Sequence, residues 1–315
     1  MPKVTIIVPN YLHAPFLKQR MDSIFNQTFT DYEVIILDDC SSDNSVEILN
    51  EYAKHPKVSH FIINDKNSGS PFKQWERGIQ LAKGDYIWIA ESDDWCELSL
   101  LDELVSGALK DENIVVSYCQ SQIVLDDMSI RYTSTHSKMS EILDGNEFAA
   151  ENMLTGNKIF NAAMAIFKKS AYINVPDEYT NYKFCGDWVL WISILLRGKV
   201  HISGKVLNYF RNHSENTSTL FYNTGLNYIE ELNLLQYFRN LDSFDDKKIQ
   251  IAVKTKYLDF LKLSGTLSSS IKKEISIRFL SILKINDRIT LHLRFYAHSI
   301  KFRIMKLIKK NYERY

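Results

Sequence analysis

The chain has 315 residues, of which 45% are hydrophobic and 24% charged, the composition of an ordinary globular protein with a sizeable core. Its four cysteines form no CxxC pair, which argues against a zinc cluster or a disulfide framework and fits a reduced, cytoplasmic setting. No signal-peptide pattern opens the sequence, and no apolar run approaches the roughly 18 residues of a membrane span. We therefore expect a protein that is soluble or peripherally attached to a membrane, with no nucleic-acid partner.

Short apolar runs alternate with longer amphipathic ones over the first 120 residues. This alternation predicts βαβ units and a Rossmann-like, mostly parallel sheet. The predicted strands lie near residues 3–8, 33–37, 58–63, 85–89 and 114–118. The predicted helices lie near residues 14–27, 43–54, 71–83 and 97–110. Because the strands are almost continuously apolar, helices should cover both faces of the sheet.

The pattern changes after residue 120. It predicts, in order, a polar hairpin at 121–139, a helix near 145–154, a strand at 161–167 and a helix at 187–197. From about residue 222 onward only helices are predicted. The expected layout is an α/β catalytic-type domain over residues 1–220, followed by a helical, basic C-terminal extension over residues 221–315.

Polar clusters follow three of the predicted strands: Pro9-Asn10-Tyr11, Asp38-Asp39 and Glu91-Ser92-Asp93-Asp94. One acidic turn is an ordinary helix N-cap. Several on the carboxyl edge of one sheet favour a ligand site, where a divalent cation relieves the repulsion between carboxylates. Neither GxGxxG nor GxxxxGK[ST] is present, so a diphosphate would be bound through Mg²⁺ or Mn²⁺ rather than in a glycine-rich cradle.

Over residues 1–220 the successive motifs resemble those of family 2 glycosyltransferases with the GT-A fold. They are VTIIVPNY at 4–11, SIFNQT at 23–28, VIILDDCSSD at 34–43, AKGDYI at 82–87 and ESDD at 91–94. The resemblance implies that Asp39 recognises the uracil of a UDP-sugar, with Pro9 and Tyr11 framing the base. It also implies that Asp93 lies near the ribose and the metal, and that Asp94 is a ligand of Mn²⁺ or Mg²⁺.

The segment GDWVLW at 186–191 places Asp187 in the first turn of a predicted helix, where it could simply be an N-terminal cap. Transfer of a sugar to a hydroxyl group requires a general base. The resemblance implies that Asp187 is that base and that the reaction inverts the anomeric centre.

Three basic side chains are candidates for binding the diphosphate: Lys73, Arg211 and His213. Arg211 and His213 lie in YFRNHSENTS at 209–218, which resembles the family element YRxHxxxxS, and His213 can also be a metal ligand. The family usually carries an Arg-Asn pair in the helix after the third strand, whereas this chain has FKQWERG at 72–78. Lys73 is therefore also compatible with an ordinary solvated position.

The resemblance implies an inverting, metal-dependent transfer of sugar from a nucleotide-sugar donor to a saccharide or lipid-linked acceptor, in bacterial cell-surface polysaccharide synthesis. One alternative is a sugar nucleotidyltransferase, which should carry a Gly-rich, Arg-containing loop where Pro9 to His13 stand. Others are a non-catalytic nucleotide- or glycan-binding relative, and a signalling receiver domain, which should be about a hundred residues shorter than this catalytic region.

The C-terminal segment is strongly basic. Residues 271–315 hold 12 Lys and Arg against 3 Asp and Glu, whereas residues 1–270 hold 26 against 35. Residues 300–310 place apolar side chains on one helical face and Lys or Arg on the others. This pattern predicts docking on an anionic membrane surface, at the inner face of the membrane. The alternative is a helix packed on the acidic body.

Overall fold

The computed structural model describes residues 1–173, 175–213, 221, 224–241, 243–263, 267–283 and 287–291. The chain divides into two compact units, Met1–Asn216 and Thr217–Tyr315. Within the described ranges, none of the helices has the length and apolar character needed to cross a bilayer. The basic segment 300–310 lies outside the described residues.

The first part of unit 1 is the predicted succession of strands and helices. Its elements are β1 Val4–Asn10, α1 Ala14–Phe25, β2 Tyr32–Asp38, α2 Ser45–Tyr52, β3 Val58–Ile63, α3 Pro71–Leu81, β4 Tyr86–Ile89, β5 Trp95–Cys96 and α4 Leu100–Ala108. All five strands and four helices predicted up to residue 118 are present, and most of the helices are shorter than predicted. The two-residue strand β5 was not predicted.

The second part of unit 1 is more irregular. Its elements are β6 Ile114–Leu125, β7 Ile130–Thr133, β8 Ser140–Asp144, α5 Gly145–Phe148, a π-helical turn Ala149–Met153, β9 Ala165–Lys168, α6 Lys169–Tyr172, α7 Gly186–Leu195 and β10 Lys199–Asn212. Short 3₁₀ turns lie at Ala162–Met164 and Asp177–Asn181. The hairpin is formed by β6 and β7, and the helix predicted near 145–154 is split between α5 and the π-helical turn.

The strand predicted at 161–167 is partly wrong. Asn161 turns its side chain inward, and the backbone N–H of Met164 donates to the Asn161 carbonyl oxygen, so the chain makes a 3₁₀ turn before β9 begins at Ala165. The 14-residue strand β10 was not predicted at all.

The strands form one sheet in the order β3-β2-β1-β4-β9-β6-β10-β5, with β7 beside β6 and β8 beside β10. The first four strands are parallel, as predicted. Strand β9 runs antiparallel between β4 and β6, and β10 is parallel to β6, so the sheet is mixed beyond β4. Because two antiparallel steps restore the direction, β1, β2, β4, β6 and β10 all end at the same edge.

Strands β1, β2 and β4 form the centre of the core, with side chains such as Ile6, Ile35 and Trp88 fully buried. Burying an isoleucine side chain stabilises the fold by roughly 1.5–3 kcal/mol. Helix α3 packs closely on β1 at Gly78, where a Cβ atom would lie 2.5 Å from Cγ2 of Ile7. Gln74, one turn earlier in α3, donates to Asp39, so the N-terminal half of α3 lies beside the carboxyl end of β2.

Unit 2 is helical over its described residues. Its helices are α8 Leu226–Arg239, α9 Asp246–Leu263 and α10 Ser269–Ile282. The buried ring of Phe279 from α10 lies 5.2 Å from the ring of Tyr257 and 5.7 Å from that of Phe260, both on α9. Aromatic packing therefore joins α9 to α10.

Candidate active site

Three side chains that follow strands β1, β4 and β10 meet at the carboxyl edge of the sheet. His13, Asp93 and His213 offer ligand atoms that all lie within 4.8 Å of one another. Nε2 of His213 lies 3.3 Å from Oδ2 of Asp93, and Nδ1 of His13 lies 4.0 Å from Oδ1 of the same carboxylate. Two imidazoles and one carboxylate on three separate loops form a set of donors suited to a divalent metal.

The two histidines favour the ionised form of Asp93. Burial alone would raise the pKa of Asp93, but the charge of His13 and the hydrogen bond and charge of His213 outweigh it and hold that pKa below its usual value. Ser92 fixes the His13 ring through a contact of 2.8 Å between its Oγ and Nδ1. His13 was not among the predicted site residues, because a lone histidine near a strand end carries no local pattern.

Asp94 points the other way, into the protein. Its side chain is fully buried, and its carboxylate accepts hydrogen bonds from the backbone N–H of Arg211 at 2.9 Å and from Nδ2 of Asn161 at 2.6 Å. Burial, followed by the negative charge of Asp93, raises the pKa of Asp94 to about 8. The sequence predicted a metal ligand here, whereas the geometry gives Asp94 two partners that belong to the protein itself.

Glu91 adds a further carboxylate to this cluster. It accepts a hydrogen bond of 2.8 Å from Nδ2 of Asn161, and its carbonyl oxygen accepts one of 2.7 Å from Nε of Arg20. Burial and the negative charges of Asp94, Asp93 and Asp187 raise the pKa of Glu91 well above its ordinary value, while the charge of Arg20 opposes them. The mutual repulsion of these buried carboxylates favours a bound cation.

Arg211 contacts the backbone of Asp93. Its guanidinium lies between the rings of Phe16, at 4.7 Å, and Trp95, at 4.6 Å. Nε donates to the carbonyl oxygen of Asp93 at 2.9 Å and Nη2 to Oε1 of Gln19 at 2.7 Å. The residue is 8% exposed. Predicted as a diphosphate ligand, Arg211 holds in this structure the backbone of the loop that carries Asp93.

Asp39 directly follows β2 and is covered by the loop before α3. Only 5% exposed, it accepts hydrogen bonds from Nδ2 of Asn64 at 2.6 Å, from Oγ of Ser68 at 2.7 Å and from Nε2 of Gln74 at 2.9 Å. The exposed Lys73 donates to the carbonyl oxygen of Ser68 at 3.1 Å and so lies near this loop.

The residues predicted to frame the nucleotide base lie at the end of β1, the strand next to β2. Pro9 is half-buried, and Tyr11, just beyond the strand, is 44% exposed. An exposed aromatic ring beside a buried carboxylate suits a planar ligand that carries hydrogen-bond donors.

Asp187 lies in the first turn of α7. Its Oδ2 accepts a hydrogen bond of 2.8 Å from Nδ2 of Asn157. The neighbouring Trp188 donates from Nε1 to the carbonyl oxygen of Met153 at 2.7 Å, which fixes the start of α7 against the π-helical turn. Because the charge of Asp187 contributes to the raised pKa of Glu91, the two carboxylates belong to one electrostatic cluster.

Two curated relatives align with very different shares of their length. The poly(ribitol-phosphate) beta-N-acetylglucosaminyltransferase TarP of Staphylococcus aureus is 26% identical over 295 residues, covering 89% of this chain and 87% of that protein. The poly(ribitol-phosphate) beta-glucosyltransferase of Bacillus spizizenii is 39% identical over 95 residues, which is 30% of this chain and only 15% of that protein.

Solved structures show the same fold at low sequence identity. The structure of S. aureus TarS residues 1–349 with UDP-GlcNAc matches with a TM-score of 0.72 at 16% identity, covering 90% of this chain and 82% of that one. A mannosyltransferase of Pyrobaculum calidifontis with GDP-Man and Mn²⁺ matches with a TM-score of 0.55 at 15% identity, over 95% and 86% of the two chains. The predicted GT-A fold is confirmed. Residues 5–175, more than half of the chain, match the sequence profile described as glycosyl transferase family 2, and the chain belongs to that family.

Proposed function

We propose that the protein transfers a sugar from a UDP-sugar to a hydroxyl group of a saccharide or lipid-linked acceptor, with inversion, in the assembly of a bacterial cell-surface polysaccharide. The observation that carries the proposal is that the His13–Asp93–His213 cluster and the buried Asp39 carboxylate lie at one sheet edge, with the Asp187 carboxylate near enough to Glu91 for its charge to act there. The relatives support a UDP-sugar donor and a polymeric acceptor, because TarP is named for glycosyl transfer to a polymer and TarS is solved with UDP-GlcNAc.

We assign the divalent cation to His13, Asp93 and His213. Imidazole ligands suit Mn²⁺ better than Mg²⁺, which prefers an all-oxygen environment and ideal octahedral geometry. Mn²⁺ is therefore the expected ion, and a mannosyltransferase of the same fold is solved with it. When bound, the cation supplies positive charge that binds a diphosphate and stabilises the charge developing on it as UDP departs.

The protein's own residues provide the rest of the chemistry. Asp39 would accept a hydrogen bond from the uracil base, with Pro9 and Tyr11 framing the base; this bond replaces, or is added to, one of the hydrogen bonds that Asp39 accepts from the protein. Arg211 keeps the loop that carries Asp93 in place. Asp187 would accept the proton of the acceptor hydroxyl, whose oxygen attacks the anomeric carbon on the face opposite to the departing UDP. This single displacement inverts the anomeric centre and requires no covalent intermediate.

An aromatic row borders the segment that carries Asn157 and Asn161. Tyr132 of β7, Ile123 of β6 and Phe210 of β10 lie in register across three strands. The ring of Phe160 lies 6.4 Å from the rings of both Tyr132 and Phe210. All four side chains are partly or largely exposed. We propose that the acceptor sugar approaches over this row, because the C–H face of a pyranose packs favourably on aromatic rings while its hydroxyls reach polar groups at the rim.

Calorimetry with UDP tests the donor side. We expect UDP to bind in the presence of Mn²⁺, and at least about 10-fold more weakly in EDTA or in Asp93→Ala. Formation of UDP from UDP-sugars tests the activity and separates the alternatives. A nucleotidyltransferase would instead make UDP-sugar from UTP and a sugar 1-phosphate, and a non-catalytic relative would bind UDP without turnover.

A further inference from the structure

The segment from Asn157 to Asn161 contacts both halves of the proposed active site. At one end, Nδ2 of Asn157 donates to Oδ2 of Asp187 at 2.8 Å. At the other end, Nδ2 of Asn161 donates to the carboxylates of Glu91 and Asp94, at 2.8 and 2.6 Å. Two asparagines four residues apart thus tie the start of α7 to the acidic turn after β4.

The orientation of each amide follows from its other hydrogen bond. Oδ1 of Asn157 accepts from the backbone N–H of Ile159 at 3.0 Å, so its Nδ2 must face Asp187. Oδ1 of Asn161 accepts from Nδ2 of Asn208 at 2.9 Å, and that same nitrogen donates to Oγ of Ser121 at 2.8 Å. In each amide the nitrogen therefore donates to a carboxylate, while the oxygen accepts from a neighbouring N–H group of the protein.

The segment between the two asparagines is itself anchored. The side chain of Ile159 is fully buried. The backbone N–H of Lys158 contacts Sδ of Met153 at 3.2 Å, in the same turn whose carbonyl oxygen receives the indole N–H of Trp188. The segment that carries Asn157 is therefore fixed by packing, and its hydrogen bond reaches Asp187 in the first turn of α7.

We infer that Asn157 is the positioning residue of the catalytic base: its amide fixes the Asp187 carboxylate at a set place relative to the turn that carries Asp93. The inference rests on the proposed function of Asp187. A base must point one oxygen at the acceptor hydroxyl, and a displacement of about 1 Å can cost on the order of 100-fold in rate. Oδ1 of Asp187 also accepts from the backbone N–H of Trp188 at 2.7 Å, and the hydrogen bond from Asn157 to Oδ2 adds a contact from outside α7 that restricts rotation of the side chain.

The substitution Asn157→Asp separates positioning from structure. Aspartate has the same shape and keeps the oxygen that accepts from Ile159, so the turn is preserved. It replaces the amide donor by an oxygen with negative charge facing Asp187, and the two carboxylates repel each other. Lys158→Ala is the matched control, because Lys158 is exposed and lies in the same segment.

The kinetic assay is acceptor-dependent UDP release from UDP-GlcNAc and UDP-glucose, measured with Mn²⁺ and a panel of saccharide acceptors. We expect Asn157→Asp to lower kcat by about 10-fold or more, with the donor KM and the calorimetric affinity for UDP unchanged within about 2-fold. Lys158→Ala should behave as the wild type. Adding Asn157→Ala to Asp187→Asn should cost nothing further, because Asn157 acts through Asp187.

A pH titration of Asp187 tests the Asn157–Asp187 hydrogen bond without an activity assay. The carboxyl-carbon NMR signal of Asp187, identified by its loss in Asp187→Asn, should titrate at a pKa at least about one unit higher in Asn157→Asp than in the wild type.

Three outcomes would overturn the inference. An unchanged kcat and Asp187 titration in Asn157→Asp would overturn it while leaving Asp187 as the base. A parallel loss of UDP affinity and kcat would show that Asn157 only maintains the fold of the site. An undiminished rate in Asp187→Asn would overturn the proposed base and this inference together.

Discussion

The backbone N–H of Arg211 donates a hydrogen bond to the carboxylate of Asp94 over 2.9 Å, which ties the end of β10 to the turn after β4. This contact explains why two adjacent aspartates have different surroundings. Asp94 stabilises the junction of two strands that are far apart in sequence, whereas Asp93, one residue earlier, faces His13 and His213.

We therefore expect substitutions at the two positions to differ in effect. Asp93→Ala should weaken Mn²⁺ binding by about 10-fold or more, because it removes the only carboxylate of the ligand set. Asp94→Ala should mainly lower the melting temperature, because it removes the acceptor of the Arg211 backbone N–H and one of the two carboxylates that accept from Nδ2 of Asn161. Calorimetric titration with Mn²⁺ and thermal unfolding of both variants give the comparison. Loss of Mn²⁺ binding in Asp94→Ala alone would support the ligand assignment made from the sequence.

Asp39 should decide nucleotide affinity. Asp39→Ala removes the acceptor that Asn64, Ser68 and Gln74 share, so the loop before α3 loses its anchor and UDP should bind at least about 10-fold more weakly. Asp65→Ala is the control, since this exposed carboxylate lies on the same loop. Equal UDP affinity for the two variants, measured by calorimetry, would argue against a base pocket at Asp39.

Buried His201 should make the fold sensitive to acid. Its ring lies between Oγ of Ser117, at 2.8 Å from Nδ1, and Oγ of Ser140, at 3.1 Å from Nε2. Burial, with a smaller contribution from the charge of Lys110, lowers its pKa to about 4. An unfolded histidine titrates near 6.5, so between about pH 6.5 and 4 the unfolded chain binds the extra proton and stability falls as the pH falls.

The expected decline in the free energy of unfolding is on the order of 1 kcal/mol per pH unit in that window. Urea unfolding at a series of pH values measures it. His201→Gln should be less stable at pH 7 yet show a shallower decline, and His60→Gln, on the outer strand β3, should keep the wild-type slope. A variant at position 201 with the full wild-type slope would show that other groups cause the acid sensitivity.

The basic C-terminal segment predicts membrane docking. Replacing Lys306, Lys309 and Lys310 by Glu should abolish co-sedimentation of the full chain with anionic liposomes at low salt, because each cation near such a surface contributes roughly 1 kcal/mol. Neutral liposomes provide the reference. If the wild type stays in the supernatant with anionic liposomes, the segment has another role, and packing on the acidic body becomes the preferred explanation.

The parallel half of the sheet and its helices could be predicted, because their apolar periodicity is a local property of the sequence. Strand β10 escaped prediction because Ser203, Gly204, Lys205 and Asn208 interrupt its apolar pattern, and it is held by pairing with β6, β8 and β5. Asp187 and Asp93 could be named as candidates because a motif surrounds each of them. His13 and Asn161 could not be named, because their contacts are with residues far away along the chain. Asn161, for example, contacts Glu91 and Asp94, which lie 70 and 67 positions earlier.

The role of Asp187 is tested by acceptor-dependent UDP release from UDP-sugars in Asp187→Asn. The substitution keeps the shape of the side chain and removes only its capacity to take a proton, so we expect at least about a 100-fold lower rate with Mn²⁺, and an affinity for UDP within about 2-fold of the wild type. A variant that releases UDP at the wild-type rate would contradict Asp187 as the base. A wild-type protein that binds UDP with Mn²⁺ and turns over none of a panel of UDP-sugars, with or without saccharide acceptors, would contradict the proposed transfer itself.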